Sequence, residues 1–176
     1  CLSGEKLTYQ QELWSPENPA LYDAEITVFK GGRKTDRVGS YFGLREYKAE
    51  GNKILLNQRP FYARLLLDQG YWKESGLTPP SEEALARDIA LAKEMGFNGV
   101  RKHQKTEDER YLYYADIMGF TVWCELPSNH WASDGAYAQL AREWLEIVRQ
   151  NYNHASVVTW VIFNESWGVR NIYANA

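Results

Sequence analysis

The sequence contains a repeated junction at which a glycine ends a predicted helix and a strand begins at the next residue. Met95-Gly96-Phe97 and Met118-Gly119-Phe120 repeat this junction 23 positions apart. Consecutive strand–helix units with apolar strands require parallel strands covered by helices. The repeat therefore predicts an α/β region, and both a doubly wound sheet and a (β/α)8 barrel satisfy it.

Helix-start signals and apolar periodicity place three helices among the strands of this region. Ser81 is predicted to be the N-cap of the first helix, and the run Thr106–Glu109 has the spacing of a capping box for the second. A third helix is predicted over about 135–150. The apolar, β-branched run 156–163 predicts a strand that is buried on both faces.

The first part of the chain has a different pattern. From Leu7 to about Tyr47, β-branched and aromatic residues alternate with polar ones, and no helical period interrupts them. Gly31-Gly32 predicts a hairpin turn, with strands on both sides of it and a further strand over 43–47. This pattern is typical of an antiparallel β region.

Chain length indicates that neither region is a complete domain. A β-sandwich takes about 100 residues and a (β/α)8 barrel about 250, whereas this chain has 176. The predicted fold is the tail of an antiparallel β-sandwich over 1–51, followed by the first half of a (β/α)8 TIM barrel over 52–176. A self-contained flavodoxin-like domain competes with this interpretation, but no glycine-rich phosphate loop follows the first strand.

Composition excludes several classes of partner. With 20 Lys+Arg against 23 Asp+Glu, the chain lacks the basic stripe that nucleic-acid binding needs, and its apolar runs are too short to span a membrane. The three histidines lack zinc-ligand spacing, so no metal site and no cofactor is predicted. Cys124 is predicted to be a buried free thiol. Composition does not decide between a cytoplasmic and a periplasmic or secreted location, and it does not decide whether the chain forms a homo-oligomer.

Polar side chains follow each predicted parallel strand at its carboxyl end. They are Asp68 with Gln69, Arg101 to His103, Glu125, and Asn164 with Glu165. Functional residues gather at this edge of parallel α/β folds. Glu165 is the sharpest candidate, because a carboxylate directly after a buried strand is costly unless it is hydrogen-bonded, and such a group suits general acid/base catalysis. Asn164 could hold a substrate hydroxyl, and Trp167 could form a flat wall for a sugar ring.

Four segments of the sequence are informative as an ordered set: 14–22, then 42–45 with 56–60, then 96–101, and finally 153–165. The last resembles the acid/base signature of family 2 glycoside hydrolases, the β-galactosidase, β-glucuronidase and β-mannosidase group. The others are similar to the end of that family's immunoglobulin-like domain, the passage into its barrel, and its second barrel strand.

The resemblance implies a fragment of a retaining exo-β-glycosidase with a carbohydrate substrate. It implies that Glu165 is the general acid/base, that Asn164 binds the hydroxyl beside the reacting carbon, and that Arg101 supports the catalytic carboxylates. Glu125 matches a lining residue. The nucleophilic Glu of the family comes from the seventh barrel strand, which is expected beyond the C-terminus of this chain, so the fragment alone is expected to be inactive. Glu125 as a replacement nucleophile is the less favoured alternative.

Three departures from the family pattern leave the sugar undetermined. The first barrel strand leads into Asp68-Gln69-Gly70 where better-known members have Asn, Arg and His. His103 follows Arg101 by two positions instead of three, and Ala155 replaces a usual Pro. Asp68, His103 and Trp167 are still expected to bind substrate. A divalent metal near the acid/base occurs in some relatives, and nothing in this sequence requires one.

Two other functions compete with a glycosidase. One is a non-catalytic carbohydrate-binding or scaffold protein derived from such an enzyme. The other is a small α/β domain with a role of its own, although half a barrel would expose an open sheet edge and apolar interior residues.

Overall fold

The computed structural model describes residues 11–170, which form a β part followed by an α/β part. The β part contains β1 (Tyr22–Lys30), β2 (Arg33–Phe42), β3 (Tyr47–Glu50), β4 (Lys53–Leu56) and β5 (Arg59–Pro60). The α/β part contains β6 (Leu65–Asp68), α1 (Glu82–Glu94), β7 (Gly99–Lys102), α2 (Glu109–Met118), β8 (Thr121–Glu125), α3 (Asp134–Asn151) and β9 (Val157–Val161). The predicted β region begins at Leu7, so its first four residues lie outside the described chain.

The α/β part is built on a four-stranded parallel sheet in the order β6-β7-β8-β9. Gly99 of β7 lies beside Leu65 on one side and Thr121 on the other. The buried core joins α1 and α2 to one face of this sheet; its residues are Leu85, Ile89, Ala92, Val100, Tyr111, Leu112, Ala115, Phe120, Val122, Cys124 and Val157. Gly96 and Gly119 both have left-handed backbone, which confirms the repeated helix-to-strand junction.

The helix starts are partly as predicted. The Ser81 hydroxyl accepts a hydrogen bond from the Ala84 amide at 3.2 Å, as an N-cap does. The capping box predicted over Thr106–Glu109 is wrong, because the Asp108 carboxylate caps α2 by accepting from the Arg110 amide at 2.9 Å. Glu107 is instead drawn into ion pairs with two lysines, which keeps this segment in the preceding loop.

Two strand predictions are also wrong. Residues 43–46 link β2 to β3 and are not a strand; there Arg45 donates to the Ala155 carbonyl at 2.8 Å. The strand predicted over 156–163 is shorter, and it is not buried on both faces. Val157 is fully buried but the remainder of β9 is partly exposed, since β9 is the last strand of the described sheet.

The β part starts with a long hairpin. β1 and β2 pair antiparallel from Tyr22 beside Phe42 to Lys30 beside Arg33. Gly31 and Gly32 have φ values of 56° and 77°, so the predicted glycine turn is confirmed. One group of apolar side chains on this hairpin is exposed: Ile26, Val28, Phe29 and Val38.

A three-stranded antiparallel sheet, β3-β4-β5, leads from the β part to the parallel sheet. Gly51 and Asn52 form the turn between β3 and β4. The predicted division between 1–51 and 52–176 therefore falls inside one hairpin, and the division stays a prediction. Among the described helices, none is long and apolar enough to cross a membrane.

A cluster of polar groups joins the β part to the amino end of the parallel sheet. Asp116, at the end of α2, is fully buried. Its carboxylate accepts from the Tyr41 hydroxyl at 2.8 Å and the Ser156 amide at 2.7 Å, and it lies 2.6 Å from His154 Nδ1. The backbone carbonyl of Asp116 accepts from the indole of the fully buried Trp14 at 2.8 Å. We refer to Tyr41, Asp116, His154 and Ser156 as the Asp116 cluster.

Candidate active site

Strand alternation divides the side chains at the carboxyl end of the sheet between two faces. Val100 packs in the core beneath the helices, and so do Val122 and Cys124 of β8. Because successive strand residues point to opposite faces, Arg101 and Glu125 lie together on the face away from that core. In a closed barrel of parallel strands, this face is the interior.

Arg101 connects three chain segments on this face. Its Nε donates to Glu125 Oε2 at 2.8 Å, and its Nη2 donates to Asn164 Oδ1 at 2.9 Å. The other carboxylate oxygen, Glu125 Oε1, accepts from the Gln104 amide at 2.9 Å. We call Arg101, Gln104, Glu125 and Asn164 the Arg101 cluster. Glu125 is 0% exposed, whereas the Arg101 side chain is 30% exposed. The inner part of the cluster is therefore buried, and its outer edge, which we call the rim, is accessible.

Backbone conformation and backbone contacts position Gln104 and Asn164, the two members of the cluster that lie in loops. Gln104 has a φ of 53°, a left-handed conformation that turns its amide toward Glu125. The segment after β9 is tied to the loop after β8, because the Asn164 amide donates to Ser128 Oγ at 3.1 Å and the Leu126 amide to the Val161 carbonyl at 3.1 Å. Asn164 itself is buried. Its position is therefore set by backbone contacts as well as by Arg101.

Glu165 follows Asn164 but is exposed, so the expectation of a buried carboxylate at this point is wrong. The chain has left β9 here, and Glu165 and Ser166 both have left-handed backbone. Glu165 Oε2 accepts from the Trp167 indole at 3.2 Å. Trp167 is half exposed and its ring lies edge-on to His130, with centroids 6.2 Å apart. Glu165 is thus an exposed neighbour of Asn164, which belongs to the Arg101 cluster.

His103 lies beside the cluster. Its Nδ1 is 3.3 Å from Glu125 Oε1, but no hydrogen bond joins that nitrogen to any described residue. A cleft of about 410 Å³ opens here, lined by Tyr71 and Leu77 from the loop after β6 and by His103 and Thr106 from the loop after β7. A larger cavity of about 610 Å³ lies in the β part and contains none of the predicted site residues.

Asp68 does not join the other strand-end side chains. It pairs with Lys102, and its Oδ1 accepts from the Gly70 amide at 2.7 Å. Partial burial alone would raise the pKa of Asp68, but the attraction of Lys102 and the Gly70 hydrogen bond outweigh it, so the pKa is lowered. Asp68 therefore remains ionised, and its role in substrate binding stays a prediction.

Sequence reasoning missed Gln104 and Glu107, and for Lys102 it missed the buried position. Gln104 contributes a backbone amide through an uncommon φ, for which its side-chain type gives no signal. Lys102 was visible as a polar strand end, but its burial between carboxylates was not. Within residues 11–170, no group of three or more His, Cys, Asp or Glu side chains is arranged to hold a metal ion.

Comparison with known families gives two matches along the chain. Residues 3–45 match the family model described as glycosyl hydrolases family 2. Residues 48–176 match the family model described as glycosyl hydrolases family 2, TIM barrel domain. The second match covers well over half of the chain, and it supports the predicted barrel.

Similar proteins agree with these matches. The chain is 30% identical to a β-glucuronidase of Bacteroides fragilis over 173 residues, covering 90% of this chain and 24% of the relative. It is 30% identical to a β-galactosidase of Lactococcus lactis over 171 residues, covering 88% of this chain and 16% of the relative. Among solved structures, a β-glucuronidase from Ruminococcus gnavus in complex with D-glucuronic acid matches with a TM-score of 0.83 and 27% identity, over 93% of this chain and 28% of that one. The chain thus spans about a quarter or less of the curated relatives.

Proposed function

The chain belongs to glycosyl hydrolases family 2, and from this premise we propose that it is part of a retaining exo-β-glycosidase that hydrolyses O-glycosidic bonds. The relatives named β-glucuronidase and β-galactosidase support this proposal. A parallel sheet with polar side chains gathered at its carboxyl end supports it as well, since TIM-barrel enzymes place their chemistry there.

The single observation that carries the proposal is the bridge that Arg101 makes between Glu125 and Asn164. Asn164 Oδ1 accepts from Arg101, and the amide NH₂ of Asn164 is the group that can donate to a sugar hydroxyl. The next residue, Glu165, is the proposed general acid/base. Its exposed carboxyl can approach a glycosidic oxygen held at the rim of the Arg101 cluster.

In the proposed reaction, the Glu165 carboxyl protonates the leaving oxygen while a second carboxylate attacks the sugar. Water then releases the sugar, with Glu165 acting as the base. The two carboxyl groups of a retaining enzyme stand about 5–5.5 Å apart. We assign the nucleophile to a later strand of the complete barrel. Glu125 is a poor candidate, because it is fully buried and both of its oxygens accept hydrogen bonds.

The remaining candidates are proposed to bind the substrate. Trp167 offers a half-exposed ring as a wall for the sugar. His103 offers an imidazole at the edge of the 410 Å³ cleft. Asp68 acts less directly, because its backbone carbonyl accepts from the His103 amide at 2.8 Å while its carboxylate pairs with Lys102. A carbohydrate is the proposed partner, and no step of the proposal involves a metal.

The test is Glu165→Gln in the complete protein. General acid catalysis is worth about 10²- to 10⁴-fold, so we expect a loss of that order with glycosides that have poor leaving groups. Activated aryl glycosides need little protonation and should lose far less in the glycosylation step. Glu146→Gln, on the exposed side of α3, is the matched control and should behave as wild type.

Equal losses for both substrate classes would exclude the acid/base role. A complete protein that binds sugars but cleaves none of the tested β-glycosides would instead support the carbohydrate-binding alternative.

A further inference from the structure

Two lysines flank the loop that completes the Arg101 cluster, and both are anchored to Glu107. Lys102 Nζ lies 2.8 Å from Glu107 Oε2, and Lys105 Nζ lies 3.2 Å from Glu107 Oε1. Lys102 also pairs with Asp68 at the end of β6. We call Asp68, Lys102, Lys105 and Glu107 the lysine network. Its two ammonium groups and two carboxylates balance in charge.

Lys102 is the buried centre of this network. Its side chain is 2% exposed, and its ammonium lies 3.9 Å from the centre of the Tyr111 ring. A buried ammonium is costly unless it is paired and hydrogen-bonded. Two carboxylates and an aromatic face meet that requirement here. Lys102 is therefore held in one place, between the ends of β6 and β7 and the start of α2.

Lys105 fixes the other side of the loop. Besides Glu107, its ammonium donates to the carbonyls of Gly70 at 3.0 Å and Leu77 at 2.9 Å. Only His103 and Gln104 stand between the two anchored lysines. Gln104 is the residue whose left-handed backbone presents its amide to Glu125 Oε1. The network thus limits how far that amide can move.

We propose that Lys102 is a positioning residue, which holds the loop after β7 so that the Gln104 amide occupies one oxygen of Glu125 and leaves the other to Arg101. Arg101 is then aligned to hold Asn164 beside Glu165. This role rests on the proposed glycosidase function. It acts through the loop and not through contact with the substrate, because Lys102 faces the helices.

The test uses the complete protein with the double variant Lys102→Met/Glu107→Gln. Removing Lys102 alone would leave Asp68 and Glu107 facing each other without their shared cation and could unfold the protein. The double variant removes one charge of each sign, and Lys105 and Asp68 are the remaining charges of the network. The matched control is Lys93→Met, whose ammonium also bonds backbone carbonyls, those of Met118 and Gly119, at the other end of the sheet.

Two readouts separate positioning from plain stability. The first is the split between kcat and KM for an aryl β-glycoside. Misplacing catalytic groups by about 1 Å costs about 100-fold in rate, so we expect kcat to fall by that order with KM nearly unchanged. The second is hydrogen exchange of the peptide covering 99–108, which should speed up in the double variant. Lys93→Met should change neither readout.

The possible results are distinct. An unchanged kcat together with a lowered thermal midpoint would show that Lys102 only stabilises the fold and would overturn the proposal. If the wild-type protein hydrolyses no glycoside, the proposed function fails on its own, and hydrogen exchange then decides the loop claim. Unchanged exchange in the double variant overturns that claim, and faster exchange over 99–108 upholds it.

Discussion

The two ends of the parallel sheet each hold a fully buried carboxylate, and they use it differently. At the amino end, Asp116 accepts from Tyr41 and Ser156 and contacts His154, so its partners join the β part to the sheet. At the carboxyl end, Glu125 accepts from Arg101 and Gln104, which come from the neighbouring strand and the loop after it. Asp116 lies between segments that pack against each other, whereas Glu125 lies beneath Arg101, which is 30% exposed.

Burial of a carboxylate is therefore a poor indicator of catalysis. Both groups are buried and hydrogen-bonded, as any buried charge must be. What separates them is the position of their partners, since Arg101 lies at the carboxyl ends of the strands, is 30% exposed, and holds Asn164 next to Glu165. We therefore expect changes at Asp116 to affect stability and changes at Glu125 to affect activity.

The largest expected effect is that of Asp116→Ala. It removes the acceptor of the buried Ser156 amide and of the Tyr41 hydroxyl, whose other neighbour is His154 Nδ1 at 3.3 Å. A buried unsatisfied group costs about 1–3 kcal/mol. Together with the loss of the His154 contact, we expect the free energy of unfolding to fall by about 3–5 kcal/mol, measured by urea denaturation. The activity per folded molecule should not change. A stable but inactive variant would contradict the division of roles.

Glu125→Gln should have the next largest effect, on catalysis. The neutral amide can accept from Arg101 or from the Gln104 amide but no longer compensates the guanidinium charge. We expect kcat/KM of the complete protein to fall about 100-fold, equivalent to about 2.7 kcal/mol. Asp116→Asn is the same chemical change at the other end of the sheet and should leave kcat/KM unaltered. Equal losses of kcat/KM in Glu125→Gln and Asp116→Asn would show that the two buried carboxylates do not differ in their effect on catalysis.

The amount that sequence revealed differs between these two ends. The polar residues that follow the parallel strands, Asp68 among them, are predicted to gather because the carboxyl ends of parallel strands share one edge. The structure joins Arg101, Glu125 and Asn164 directly, whereas Asp68 pairs with Lys102 instead. The Asp116 cluster was not predicted. Two of its members, Tyr41 and His154, are 113 positions apart, and no local pattern relates such distant residues.

The errors have physical causes of the same kind. The capping box at Thr106 matched a local rule, but ion pairs from Lys102 and Lys105 draw Glu107 into the loop instead. The apolar run at β9 predicted burial on both faces, but burial depends on which strands and helices cover it. The same apolar run predicts a buried carboxylate at Glu165, which is exposed because the chain has left β9 there. Tertiary contacts overrode sound local signals in each case.

Tyr41→Phe should produce a smaller loss at the amino end. Its hydroxyl donates to Asp116 at 2.8 Å, and a hydrogen bond to a charged group contributes about 1.5–3 kcal/mol. Burial and the Asp116 carboxylate raise the pKa of Tyr41, so the hydroxyl keeps its proton at neutral pH. Tyr47→Phe is the control, because the buried Tyr47 hydroxyl has no hydrogen-bond partner among the described residues. That variant should be neutral or slightly stabilising in the same denaturation assay.

We expect the smallest effect at Asp68 and Asp88, two aspartates that interact with Lys102. Their substitution tests whether the charges around Lys102 contribute to the stability of the fold. The pKa of Asp68 is lowered, since Lys102 and Gly70 outweigh its burial. Its stabilising effect is therefore complete above the unfolded-state pKa and is lost as pH falls through the folded pKa. The pKa of Asp88 is raised, chiefly by burial, so Asp88 costs stability at neutral pH, and the cost is relieved as pH falls through its folded pKa. Asp68→Asn should thus lower the urea midpoint at pH 7 and Asp88→Asn should raise it, and both differences should shrink toward pH 3. If both variants shift the urea midpoint in the same direction, the opposite effects expected for Asp68 and Asp88 are wrong.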